Sequence, residues 1–199
     1  MTTTTDMVTV TLPADDLIGP PQGSWTYPDY AAVADDGHRY ELVDGVMYMA
    51  PAPTTGHQSA SNWFLFYLMT HIQIPGLGRV FAAPTDVELG PGDVVQPDVL
   101  VVLNGSSAAI TASRVIGAPD LIVEIASPST SGYDRREKQD TYARAHVSEY
   151  WIVDPVGQSI EVLLLRGAAY RSQGVFLRKA TLPSRVVPNL PVQVEQFFQ

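Results

Sequence analysis

Hydrophobic and polar positions alternate or cluster along this chain in blocks that change period several times. Tyr27-Pro28-Asp29-Tyr30 predicts a short helix running to about Ala34, with Pro28 suited to the first turn. Tyr40-Glu41-Leu42-Val43 and Val46-Met47-Tyr48-Met49 are β-prone runs on either side of Asp44-Gly45, the signature of a tight primed hairpin. From about His57 to Ile74, Trp63, Phe64, Phe66, Tyr67 and Met69 recur at helical spacing, and Pro75-Gly76 closes the segment. This predicts a long helix with one broad apolar face.

Strands are expected next. Arg79–Ala83 and Thr85–Leu89 read as one strand kinked at Pro84, followed by a Gly90–Asp93 turn. Pro97–Leu103 and Leu121–Ala126 are short continuous apolar runs, the pattern of strands buried on both faces, joined by a polar connection over 104–118. Tyr133–His146 predicts an amphipathic helix with Tyr142 inward. Glu149–Asp154, Ser159–Leu165 and Ala169–Leu177 read as strands, and Leu190–Phe198 as a last element against the core. The reading is an α/β fold with a mixed sheet and hairpins at both ends. Residues 1–24, rich in threonine, proline and glycine, form a leader; residues 25–199 form a single domain.

Composition narrows the chemistry. At 45% hydrophobic and 17% charged residues, the 199-residue chain is ordinary globular protein. It has no cysteine, which removes disulfides, thiol nucleophiles and cysteine-based metal sites. No apolar run approaches a membrane span, and the N-terminus lacks a signal peptide's basic start and apolar stretch, so the cytoplasm is expected. The net charge of −9 opposes non-specific binding to a polyanion. The charge is uneven, however: residues 166–199 carry Arg166, Arg171, Arg178, Lys179 and Arg185 against Glu195 alone.

Two carboxylates stand out, Asp98 in Gln96-Pro97-Asp98-Val99 and, 26 positions on, Glu124 in Val123-Glu124-Ile125-Ala126. Each lies in a β-prone apolar run. An ionised carboxylate is costly to bury without a partner, and two on neighbouring strands would draw a cation between them. Hard divalent ions take such oxygens, magnesium commonly with one or two carboxylates plus water. The plainer alternative puts Asp98 at a strand start and Glu124 towards solvent. Periodicity alone sets Lys138 on a solvated helical face beside Arg135 and Arg136, Glu41 on an exposed strand position, and His57 at a helix start without a role. There is no His-Glu-x-x-His pair, Gly-x-Ser-x-Gly elbow, phosphate-binding loop or dinucleotide fingerprint. A two-carboxylate glycosidase stays a rival, requiring an aromatic cleft and no lysine.

In order, the blocks Tyr40–Gly45, Gly56-His57-Gln58, Pro84-Thr85-Asp86-Val87, Gln96–Val99, Gly117–Leu121, Val123–Thr130, Asp134 with Glu137-Lys138, and Glu149–Pro155 resemble the Uma-type restriction-endonuclease family of the PD-(D/E)XK nuclease superfamily. The resemblance implies a restriction-endonuclease-like, four-stranded mixed sheet core flanked by helices and extended by β-hairpins. It implies Mg²⁺, or Mn²⁺ in its place, on Asp98, Glu124 and the Ile125 carbonyl. Glu41 would join them as the N-terminal acid and Lys138 as the catalytic lysine, with His57 and Tyr142 as substrate contacts. DNA would be the substrate and a homodimer the working form. The superfamily pattern sets its lysine two residues after the acid, where this chain has Ala126; in the Uma-type pattern the lysine stands on the following helix. The alternative is an inert nuclease-fold module that binds DNA or protein.

Overall fold

The computed structural model describes residues 13–50, 52–126 and 137–199. The first twelve residues of the expected leader, the Ser127–Thr130 block and the expected helix start at Tyr133–Arg136 lie outside the described residues.

A short helix α1 (Tyr27–Ala31) has Thr26 as its N-cap, and the Asp29 carboxylate returns a bond to the Thr26 amide. The hairpin of β1 (Arg39–Val43) and β2 (Val46–Ala50) turns through Asp44 and Gly45, with φ of +51° and +72°. These are the left-handed angles a primed turn demands. Gly45 is required twice over, since a Cβ there would stand 2.7 Å from the Gly23 backbone. Residues 13–24 run beside β2: Ala14 donates to the Met47 carbonyl, and Gln22 bonds the Met47 amide and the Ala14 carbonyl.

Helix α2 (Thr55–Leu68) continues through a π-helical turn over Met69–Gln73. Its core face is Ala60, Phe64, Leu68 and Ile72; of the expected Trp63, Phe64, Phe66, Tyr67 and Met69, Phe64 is fully buried, Tyr67 and Met69 pack partly against the core, and Phe66 is 54% exposed. The helix is apolar on both sides, so spacing could not tell which side the sheet would cover.

The remaining strands are β3 (Gly78–Ala82), β4 (Val87–Gly90), β5 (Asp93–Val95), β6 (Val99–Leu103), the two-residue β7 (Ala109–Ile110) and β8 (Val115–Ile116), and β9 (Leu121–Ile125). Helix α3 (Gln139–Arg144) precedes β10 (Glu149–Asp154), β11 (Ser159–Arg166) and β12 (Ala169–Leu177). A 3₁₀ turn over Val194–Phe198 ends the chain, with Phe197 fully buried. The single kinked strand expected around Pro84 is two strands in different sheets: β3 is the edge of one, and β4 lies inside the other. Sequence period carries no information about that separation.

Two six-stranded sheets result, ordered β2-β1-β5-β4-β8-β7 and β12-β11-β10-β9-β6-β3. In the second, β6 lies antiparallel between β3 and β9, and β9 runs parallel to β10. These four are the mixed core, and β11–β12 is the added hairpin. Strands β6, β9 and β10 are buried on both faces, as their continuous apolar runs imply. Val99, Val101, Leu121, Val123, Trp151 and Val153 pack with α2 and the C-terminal segment. The alternate residues Leu100, Ile122, Tyr150 and Ile152 pack with Tyr142 of α3 and with Val43, Val87 and Val95 of the first sheet. Strand alternation therefore aims Asp98 and Glu124, in phase with Leu100 and Ile122, at the seam between the sheets.

Candidate active site

The antiparallel register Val99↔Val123 sets Asp98, one residue before β6, opposite Glu124 on β9. Glu124 is 4% exposed, so burial and not a solvated position is what its apolar neighbours foretold. Lys138 and Glu41, each 5% exposed, stand at the same place rather than in the solvated positions that periodicity favoured for them.

The Lys138 ammonium lies 2.9 Å from Glu124 Oε1 and 2.8 Å from Glu41 Oε1. Tyr142, one turn along α3 from Lys138, donates its hydroxyl to Glu124 Oε1 at 2.6 Å. Burial and the Glu124 charge raise the Tyr142 pKa well above the usual tyrosine value, which keeps the hydroxyl a donor. Asp98 Oδ2 accepts the Ile125 amide at 2.7 Å and lies 3.0 Å from His57 Nε2. His57 is on the first turn of α2, whose N-cap Thr54 accepts the His57 amide, so the helix start carries the imidazole over the end of β6. All the side chains named from the sequence, together with the Ile125 backbone, thus meet at one seam.

Two residues without an assigned role complete the frame. The Gln96 amide donates to Glu41 Oε1 at 2.8 Å, and its side-chain nitrogen donates to Asp86 Oδ1 at 2.9 Å. Tyr30 donates to the same Asp86 oxygen at 2.9 Å. Burial, with Asp86 beside it, raises the Tyr30 pKa. The blocks around Asp86 and Gln96 were visible in the sequence; that Gln96 would hold Glu41, and Asp86 would hold Gln96, was not, because the Glu41 contact spans 55 residues.

The donor chemistry bears on which ion could sit here. Among the described residues, no three His, Cys, Asp or Glu side chains form a group arranged to hold a metal. The facing pair Asp98 and Glu124 instead offers two hard oxygen donors, the small protein share that magnesium takes when water completes its shell. Among the described residues, the acids Glu41, Asp98 and Glu124 gather here with Lys138 and His57 as their basic partners. A buried cluster rich in carboxylates is a setting that favours a bound cation. These residues fit Mg²⁺ or Mn²⁺ by donor type and charge, and not a histidine-bound zinc.

A mixed four-stranded core with facing acids on adjacent strands and a lysine against one of them defines a nuclease-like fold. The chain belongs to the Uma2 family, described as "Putative restriction endonuclease", whose profile matches residues 12–195. It is similar in fold to a crystal structure from Anabaena variabilis described as a "putative nuclease belonging to DUF820", with a TM-score of 0.73 and 18% identity. That similarity covers 87% of this chain and 97% of the other. A comparison with curated proteins gives no match. Among the described residues, no helix is long and apolar enough to cross a membrane.

Proposed function

We propose that the chain is a metal-dependent DNA endonuclease that hydrolyses phosphodiester bonds at the Glu41, Asp98, Glu124 and Lys138 site. One observation carries the reading: three acids and a lysine from β1, the β6 start, β9 and the α3 approach converge at the seam, with Glu41, Glu124 and Lys138 each no more than 5% exposed. Burying that much charge is expensive, and sites that do chemistry are where such a cost is commonly found.

Asp98, Glu124 and the Ile125 carbonyl would hold Mg²⁺ or Mn²⁺, which when bound polarises a phosphate and lowers the pKa of water. The chain's own groups do the rest. The Lys138 ammonium orients the attacking water and balances charge that develops on the phosphate. Glu41 holds the ammonium together with Glu124. Tyr142 fixes the Glu124 carboxylate, and His57 fixes Asp98 through Oδ2. His57 also contacts the substrate; Tyr142 is fully buried and acts through Glu124. Arg171 and Lys179, both exposed in the basic segment 166–199, are suited to phosphate contacts. Cutting both strands of a duplex needs two sites, so the working form is a homodimer in the cytoplasm.

The test is nicking of supercoiled DNA with Mg²⁺ or Mn²⁺ by the wild type and by Asp98→Ala, with metal binding measured by calorimetry. The reading expects metal-dependent nicking and metal binding, both lost in the variant. Equal nicking by both proteins would overturn it. Neither metal binding nor nicking across salt and pH would instead leave the inert DNA- or protein-binding module, which has no need of an occupied carboxylate site.

A further inference from the structure

Helix α2 is apolar on the side that faces away from the core as well as on the side that packs. Trp63, Phe66 and Tyr67 form a ring cluster at its margin, with centroids 5.1 to 5.9 Å apart; Tyr67 also packs on the buried Phe197 ring, and Phe66 is the exposed member. Phe66, Thr70 and Ile74 follow at four-residue intervals, and Leu77 lies in the turn after them. Phe66 is 54%, Ile74 75% and Leu77 56% exposed. A helix that is hydrophobic all round is ordinarily covered all round. Taking about 200 Å² for a large apolar side chain, these residues expose roughly 300–400 Å². That is the size of the largest apolar patch on a typical monomer, which is often a functional one.

Charge identifies the occupant. From Gly45 to Gly78 the chain has no Asp, Glu, Lys or Arg, although the whole carries 33 of them and a net charge of −9. A two-fold interface lays one surface against itself, so any charge near the axis meets its own copy. On an acidic protein most faces would repel a second copy; the α2 segment carries no formal charge of its own, and exposed Arg79 is the first charge after it. We propose that the outer face of α2, centred on Phe66 and Ile74, is the surface through which two copies of this chain associate. Pairing these stripes, with their polar rims, reaches about the 1,000 Å² at which specific interfaces begin.

The association is read by hydrodynamics and not by cleavage, so it bears on the homodimer of the proposed function and leaves the metal site and its chemistry to their own test. Sedimentation over a concentration series compares the wild type with Phe66→Glu, Ile74→Glu and Val156→Glu. Val156 is an 86% exposed apolar residue outside the stripe, and its variant controls for added charge. The wild type and Val156→Glu are expected to be concentration-dependent dimers. Each stripe variant should weaken association about 100-fold or more, because it sets two like charges face to face in a dry contact. Circular dichroism melts unchanged from the wild type confirm that the stripe variants are folded, as their exposure leads one to expect. A wild type that stays monomeric at every concentration overturns the proposal. So does a dimer that persists in both folded stripe variants.

Discussion

The sharpest test of the buried charge cluster is Lys138→Met, which keeps the length of the side chain and removes its charge. In the wild type the ammonium lies 2.8 Å from Glu41 and 2.9 Å from Glu124, with all three side chains 5–7% exposed. At an effective dielectric near 20, one such contact is worth about 6 kcal/mol of attraction before desolvation is charged against it. Without the lysine, the two carboxylates face each other with that compensation gone. Breaking a buried pair from one side costs about 3–5 kcal/mol, which we take as the expected loss. Urea unfolding should show the midpoint falling while the slope stays constant, since no new surface is exposed. The Glu41→Gln/Lys138→Met double variant should recover part of the loss, because one uncompensated charge has gone. Mg²⁺ should also stabilise Lys138→Met more than the wild type, the ion taking over the role of the missing cation. A single variant within about 1 kcal/mol of wild type, or a double variant whose losses simply add, would refute the view that this lysine neutralises the cluster.

Alkaline stability gives a second check. Burial raises the Tyr170 and Tyr142 pKa values above the usual 10.0, so the folded state holds these protons after the unfolded chain has released them. The stability tied to those protons is complete below pH 10 and is lost as pH rises above it, by up to about 1.4 kcal/mol per pH unit for each tyrosine. Denaturant midpoints from pH 8 to 11 should bend downward near 10, and Tyr170→Phe should make the bend shallower; an unchanged bend would count against Tyr170. Phe64→Ala should cost about 3–5 kcal/mol in the same assay, because the ring stacks on Phe197 at 4.3 Å and touches the Trp151 ring edge. Glu149→Ala should lose about 2–3 kcal/mol and shift Trp151 fluorescence, because the fully buried carboxylate accepts from Trp151 Nε1 and the Arg185 amide. A loss below 1 kcal/mol would mean that this anchor of the C-terminal segment is dispensable.

The sequence by itself determined the elements whose cause is local. Asp44-Gly45 made the hairpin turn because few residue pairs accept two successive left-handed conformations. Continuous apolar runs marked β6, β9 and β10 because strands covered on both faces have no polar side to show. The same logic singled out Asp98 and Glu124, as charges set where water is scarce. Tertiary structure decided the rest. Periodicity judged Lys138 and Glu41 exposed; only the packing of the first sheet and the α3 approach against β9 buries them together. Which side of α2 meets the sheet, and that Pro84 lies between strands of different sheets, were likewise settled by assembly. Period records that a side chain alternates with its neighbours but not what covers it, and partners up to 140 residues apart leave no trace in local pattern.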